Sequence, residues 1–214
     1  MSTEIPKPKK SFYSCFVKRI LDIFLSSFAI LCLSPLLLIV SIIELIIHGR
    51  PIFYKQRRPG KDEKVFLMYK FRSMNNKKDE NGKLLSGEQR VTKFGYFLRK
   101  TSIDELPGLF NVFKGDMSVI GPRPLLEIYL PLYPKRYAMR HVVRPGLAIE
   151  RITPSESKTW TWRDQFENDI FYIENISFWT DLKMIFAVIK AVFQGSEYRA
   201  RDTREPFNGT NFDN

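Results

Sequence analysis

Apolar residues run almost unbroken from Ile20 to Ile47, interrupted only by serines, Asp22, Pro35 and Glu44. A helix needs about 20 such residues to cross a bilayer core, so the run reads as a membrane segment. A secretory signal fits less well, because the run is long and no small-x-small cleavage site follows it. A soluble helix that is apolar on every side would need a larger protein around it. Pro35 has no N–H and crowds the carbonyl four residues back, so the helix is expected to break at Ser34-Pro35, where Ser34 can satisfy a freed backbone group. Two half-helices meeting there would dip into one leaflet and return. The alternative is a kinked helix that spans.

Beyond the run the pattern shortens into small elements. Residues 51–56 read as an extended piece, 57–61 as a turn, and Val65 to Arg72 as a strand. Residues 75–90 are polar, carry the Asn81-Gly82 turn signal and form a surface loop. Val91 to Lys100 places Phe94, Phe97 and Leu98 at helical spacing. A further helix is predicted with Asp104 as N-cap, Pro107 in the first turn and Gly115 as left-handed stop. Gly121-Pro122-Arg123-Pro124 is a rigid turn. Phe178, Leu182, Ile185, Phe186, Ile189 and Phe193 form a stripe on a helix capped by Ser177, facing the core or a membrane surface. The fold class is mixed α/β and mostly helical. It divides into a basic lead (1–19), a re-entrant membrane helix (20–47), a domain of short elements with amphipathic interfacial helices (48–194) and a polar tail (195–214).

Charge changes the picture at the membrane run. The chain of 214 residues has 34 Lys and Arg against 23 Asp and Glu, formally +11. Residues 1–19 carry Lys7, Lys9, Lys10, Lys18 and Arg19 against Glu4, and residues 48–61 carry Arg50, Lys55, Arg57, Arg58 and Lys61 with no acid. The positive-inside rule places both flanks on the cytoplasmic side, which one straight span cannot do, so the hairpin is preferred. The surplus suits an anionic lipid surface or phosphorylated small molecules. A nucleic-acid reading lacks any recognition module or interleaved basic-aromatic surface. Cys15 and Cys32 imply neither a disulfide framework nor a metal cluster.

There is no phosphate-binding glycine loop, zinc-ligand spacing or nucleophile elbow, and His48 and His141 are too few and too separate for a metal site. The distinctive block is Arg99-Lys100-Thr101-Ser102-Ile103-Asp104-Glu105-Leu106-Pro107. It sets adjacent carboxylates at a predicted helix start, with cations one turn earlier. An ionised Asp can attack phosphorus, and a neighbouring Glu can hold a divalent ion that bridges diphosphate oxygens. Those residues alone are read more simply as a helix cap and its dipole complement.

The wider pattern reverses that preference. Residues 101–124, Thr-Ser-Ile-Asp-Glu-Leu-Pro-x-Leu-Phe-Asn-Val-Phe-Lys-Gly-Asp-Met-Ser-Val-Ile-Gly-Pro-Arg-Pro, closely resemble the signature of the bacterial sugar transferases, the monotopic phosphoglycosyl transferases. The resemblance extends to Arg19-x-x-Asp22, Ser34-Pro35, Arg58-Pro59-Gly60, Tyr69 to Met74, Arg144-Pro145-Gly146 and Phe178-x-x-Asp181-Leu182-Lys183, covering roughly 12–195. With no span ahead of Phe12, the chain is similar to the smallest members, such as those that start N-linked glycan assembly.

The resemblance implies a two-step transfer of a sugar-1-phosphate from a UDP-sugar to polyprenyl (undecaprenyl) phosphate, at the cytoplasmic face of the bacterial inner membrane, ahead of later glycosyltransferases. It implies Asp104 as nucleophile, Glu105 as the acidic partner tied to Mg²⁺, and Lys70, Arg99 and Arg123 as phosphate-binding cations. Ser34-Pro35 matches the break of the family's re-entrant helix. One stretch departs. After Pro145-Gly146 the family runs Thr-Gly-x-Ala-Gln-Val-x-Gly-Arg, whereas this chain reads Leu147-Ala148-Ile149-Glu150-Arg151-Ile152-Thr153-Pro154-Ser155-Glu156. That is where the nucleotide-sugar is expected to sit, so sugar identity and uridine preference stay open, with Arg151 a candidate for the missing cation. It is also the only support for the alternative, a membrane-anchored scaffold with an inactive site.

Overall fold

A computed structural model describes residues 5–149, 161–193 and 204–213. A π-helical turn at Tyr13–Val17 leads into α1, Lys18–His48, and helical structure continues through Pro35 without interruption. Pro35 cannot donate to the carbonyl of Leu31, and the Ser34 hydroxyl takes that acceptor instead at 2.8 Å. The helix is long and apolar enough to cross a membrane, with mean hydropathy 2.8. Asp22, Ser26, Leu37, Val40 and Glu44 are buried along it, while Phe24, Phe28, Leu31, Leu38, Ile42 and Ile46 are exposed. Helical spacing puts the buried set on one stripe. Asp22, Ser26 and Glu44 therefore face the protein together with Leu37 and Val40, while most of the other apolar side chains face outward.

Strand β1, Phe53–Pro59, pairs antiparallel with β2, Val65–Phe71, in a register from Phe53↔Phe71 to Pro59↔Val65. The turn expected at 57–61 falls later. Arg57 and Arg58 are in the ladder opposite Leu67 and Phe66, and the chain reverses where Gly60 N–H meets the Lys64 carbonyl at 2.9 Å. After a polar loop and a short helix α2, Gly87–Arg90, helix α3 occupies Lys93–Lys100, capped by the Thr92 hydroxyl. Its Gly95 is required by packing, because an added Cβ would lie 2.0 Å from the Ser73 carbonyl oxygen.

Asp104 does not cap a helix, contrary to the sequence reading. Ser102 sits in the left-handed region (φ 57°), Ile103–Glu105 form a 3-10 turn, and α4 begins only at Gly108, ending at Lys114. Pro107 has no N–H for the Ile103 carbonyl, which Leu106 N–H takes at 3.1 Å, tightening the approach to the helix. Gly115 stops α4 at φ 104°, as expected.

Strand β3, Ser118–Ile120, runs parallel to β4, Gly146–Ala148, with α5, Lys135–Ala138, between them. Helices α6, Trp162–Glu174, and α7, Phe178–Phe193, complete the domain, and the Ser177 hydroxyl accepts from Thr180 N–H at the start of α7. The main core gathers Tyr129, Tyr137, Trp162, Phe166, Ile170 and Met184. Residues 204–213, read from sequence as part of a polar tail, return to this core. Phe207 and Phe212 are buried in it, and the Arg204 guanidinium lies 4.1 Å from the centre of the Trp162 ring. Among the α7 side chains described (178–190), Asp181 and Met184 are buried, while Phe178, Trp179, Phe186 and Ile189 are exposed.

Candidate active site

The dyad is presented by a turn whose flanking residues pack inward. Ile103 and Leu106 pack on a cluster of Leu37, Val40, Phe71 and Leu98, which leaves Asp104 and Glu105 to face the opposite way. Across from them β2 delivers Lys70, whose Nζ donates to Glu105 Oε1 at 2.9 Å. The Gly121–Pro124 turn delivers Arg123, whose Nη2 donates to the same oxygen at 2.6 Å. Among the described residues Glu105 Oε2 receives only a longer contact, 3.4 Å from Arg123 Nη1. Arg99, on the exposed side of α3, is steered by a 2.8 Å bond from its Nε to the Ser73 hydroxyl, and its charge reaches Asp104. Lys70 and Arg123 thus converge on Glu105, and the charges of all three cations act on Asp104.

The two carboxylates are treated differently. Burial pushes Glu105 up, but the charges and hydrogen bonds of Arg123 and Lys70 outweigh it and hold the carboxyl well below the usual range. Asp104 is raised to about 6, first by burial and then by the neighbouring Glu105 charge, against the pull of Lys70, Arg99 and Arg123. Among the described residues no group donates a hydrogen bond to Asp104. One carboxylate is clamped and the other is held close by charge alone.

The frame around the dyad explains motifs that carried no role in the sequence. Asn111 on α4 accepts from Tyr69 N–H at 3.0 Å and donates to the Leu67 carbonyl at 2.8 Å, standing in for another strand along β2. Arg19 closes the end of α4 by donating to the carbonyls of Val112 and Phe113, at 2.7 and 2.8 Å. Asp22 accepts from the Ser118 hydroxyl and Val119 N–H, both at 2.9 Å. Asp181 accepts from Tyr13, Lys18 and Tyr172, tying the lead and α7 to the core. Sequence reasoning also passed over Arg58 and Arg140, which contact the Arg123 turn. Burial and the nearby Arg123 charge lower Arg58 to about 10. Their only signal was a place in or beside a family motif. The atypical stretch is described only as far as Ile149, where Leu147 packs over Gly108; Glu150 to Glu156, Arg151 included, lie outside the described residues.

The family model described as bacterial sugar transferase matches residues 13–195. The chain belongs to the bacterial sugar transferase family. It is 41% identical over 196 residues to a Bacillus subtilis protein named uncharacterized sugar transferase EpsL, covering 91% of this chain and 96% of that one. It is 36% identical to the UDP-N-acetylgalactosamine-undecaprenyl-phosphate N-acetylgalactosaminephosphotransferase of Aeromonas hydrophila, over 84% of this chain but 44% of the relative. It is 38% identical to the UDP-glucose:undecaprenyl-phosphate glucose-1-phosphate transferase of Klebsiella pneumoniae, over 85% of this chain and 41% of the relative. The family member described here is thus a transferase, and its signature block is the part that forms the dyad.

Proposed function

We propose that this transferase moves a sugar-1-phosphate from a UDP-sugar onto polyprenyl phosphate through an aspartyl ester at Asp104. The observation that carries the reading is the division of labour in the dyad: Glu105 is clamped by two cations, whereas Asp104 is left without a hydrogen-bond donor among the described residues. A carboxylate with pKa about 6 is ionised at neutral pH and more basic than an ordinary one, which suits a nucleophile. An Asp104 oxygen attacks the β-phosphorus, the bond from that phosphorus to the bridging oxygen breaks, and UMP leaves with the electron pair. An oxygen of polyprenyl phosphate then attacks the same phosphorus, expelling the Asp104 carboxylate and giving polyprenyl-diphosphate-sugar. Lys70, Arg99 and Arg123 neutralise phosphate oxygens through both steps.

Mg²⁺ fits this donor set. Glu105 Oε2 keeps acceptor capacity that Oε1 has spent, and Mg²⁺ is commonly held by one or two carboxylates together with substrate phosphates. Bound there, it would offset the repulsion between the diphosphate and the dyad.

The reading includes a hairpin topology at the cytoplasmic face of the inner membrane, with a kink at Pro35. Its support is that both ends of α1 dock on one domain. Arg19 and Asp22 bind α4 and β3, while Leu37 and Val40 pack on Phe71 and Leu98 and His48 meets Thr92. The scaffold alternative is not favoured, because the dyad and all three cations stand together. Incubation with UDP-sugars alone, followed by mass spectrometry, tests the chemistry. A phosphosugar adduct on Asp104 with release of UMP is expected. An adduct elsewhere, or release of UDP, would overturn the reading.

A further inference from the structure

Prolines at 122 and 124 strip two N–H donors from the turn that carries Arg123, so the turn has little with which to hold itself. Its three successive carbonyls are gripped from outside instead. Gly146 N–H donates to the Pro122 carbonyl at 2.9 Å, Arg140 Nη2 to the Arg123 carbonyl at 2.7 Å, and Arg58 Nη1 to the Pro124 carbonyl at 3.0 Å.

Arg140 is 2% exposed, an unusual place for an arginine. The same Nη2 forms a 2.7 Å ion pair with Asp169 Oδ2 on α6, and Asp169 is fully buried. That nitrogen thus donates a hydrogen bond to the turn and lies in charge contact with the helix, where neither Asp169 oxygen receives a hydrogen bond among the described residues. The Tyr133 and Phe166 rings lie 5.7 and 5.5 Å from the guanidinium carbon and fix its plane. A buried ion pair stabilises a fold little more than apolar packing of the same volume, so stability alone does not account for this one. Arg58 is secured in its turn by a 2.8 Å bond from Nη2 to Gln56 Oε1.

We propose that Arg140, held by Asp169, and Arg58 are positioning residues for the transfer, fixing the backbone of the Pro-Arg-Pro turn so that the Arg123 guanidinium reaches Glu105 and the substrate phosphate. The inference rests on the proposed role of Arg123 at the phosphate. A misplacement of about 1 Å near reacting groups can cost on the order of 100-fold in rate.

The test is a double-mutant cycle in the full-length protein, with UMP release, KM and thermal melting measured for each variant. Arg140→Met, Asp169→Asn and Arg58→Gln are each made alone and together with Arg123→Ala. Each single variant is expected to lose roughly 10- to 100-fold, chiefly in kcat. In the Arg123→Ala background the same change should cost almost nothing more. Should Arg140→Met not fold, Arg58→Gln, outside the aromatic core, supplies the same cycle. Losses that multiply with that of Arg123→Ala, or variants that turn over like wild type, overturn the inference. Failure of the underlying reading looks different: Arg123→Ala alone would then keep wild-type turnover.

Discussion

Asp104→Asn should abolish turnover and, at neutral pH, make the protein more stable. The carboxyl rises from its ordinary 3.8 to about 6, and each pKa unit corresponds to about 1.4 kcal/mol between the two protonation states. Keeping Asp104 ionised in the fold thus costs roughly 3 kcal/mol at most. The sign follows from linkage. A folded pKa above the unfolded one means the native state holds the proton more tightly, so this group's contribution to stability is lost as pH rises from about 4 through about 6. An amide has no such dependence. In a chain of this size about 1 kcal/mol moves Tm by 2–4 °C, so the Asn variant should melt up to about 6–12 °C higher at pH 7.5 and near wild type at pH 4. Thermal melts in detergent or nanodiscs at both pH values, beside a turnover assay, make the comparison. Wild-type activity should also climb as pH passes 6. A variant that is destabilised at pH 7.5, or a gap of equal size at both pH values, would refute the reasoning.

Glu105→Gln should lose most activity, because an amide cannot balance Lys70 and Arg123; wild type should stop in excess chelator and recover with Mg²⁺, and full turnover in chelator would exclude that role. Gly95→Ala drives a Cβ to within 2.0 Å of the Ser73 carbonyl, so α3 must shift and Arg99 must leave the Ser73 hydroxyl. Overpacking of this kind costs about 1–3 kcal/mol, read as a lower melting temperature together with reduced turnover. Cysteines placed singly near residues 5 and 55 should both be labelled only from the cytoplasmic side; labelling of residue 5 from outside would replace the hairpin with a span.

The long apolar helix, the β2 strand, the α3 stripe and the Gly115 stop were legible because each follows a local rule of periodicity or backbone geometry. The dyad and its three cations were legible as a motif. Their meeting was not, since Lys70, Glu105 and Arg123 are brought together by tertiary packing that no short window contains. The misplacement of Asp104 as an N-cap has a specific cause. The acidic start and Pro107 satisfied helix-start preferences, but a left-handed Ser102 and the missing proline N–H diverted the chain into a 3-10 turn. Phe207 and Phe212 were hidden by the polar residues around them. Two aromatics in a polar stretch form no stripe, yet they suffice to bring 204–213 back to the core.

The anchor of this enzyme is not a tether that can be cut away. Removing everything before residue 49 would uncover Phe71 and Leu98, strip Arg19 from the α4 carbonyls and leave Asp181 buried without its lysine. Engineering a water-soluble variant therefore calls for rewriting the outward positions of α1, such as Phe28, Leu31 and Ile42, while keeping the inward stripe. The same division sets how the helix can drift over generations. Its outward residues are exposed and escape that constraint, whereas Asp22, Ser26, Leu37, Val40 and Glu44 must change in step with the domain they face.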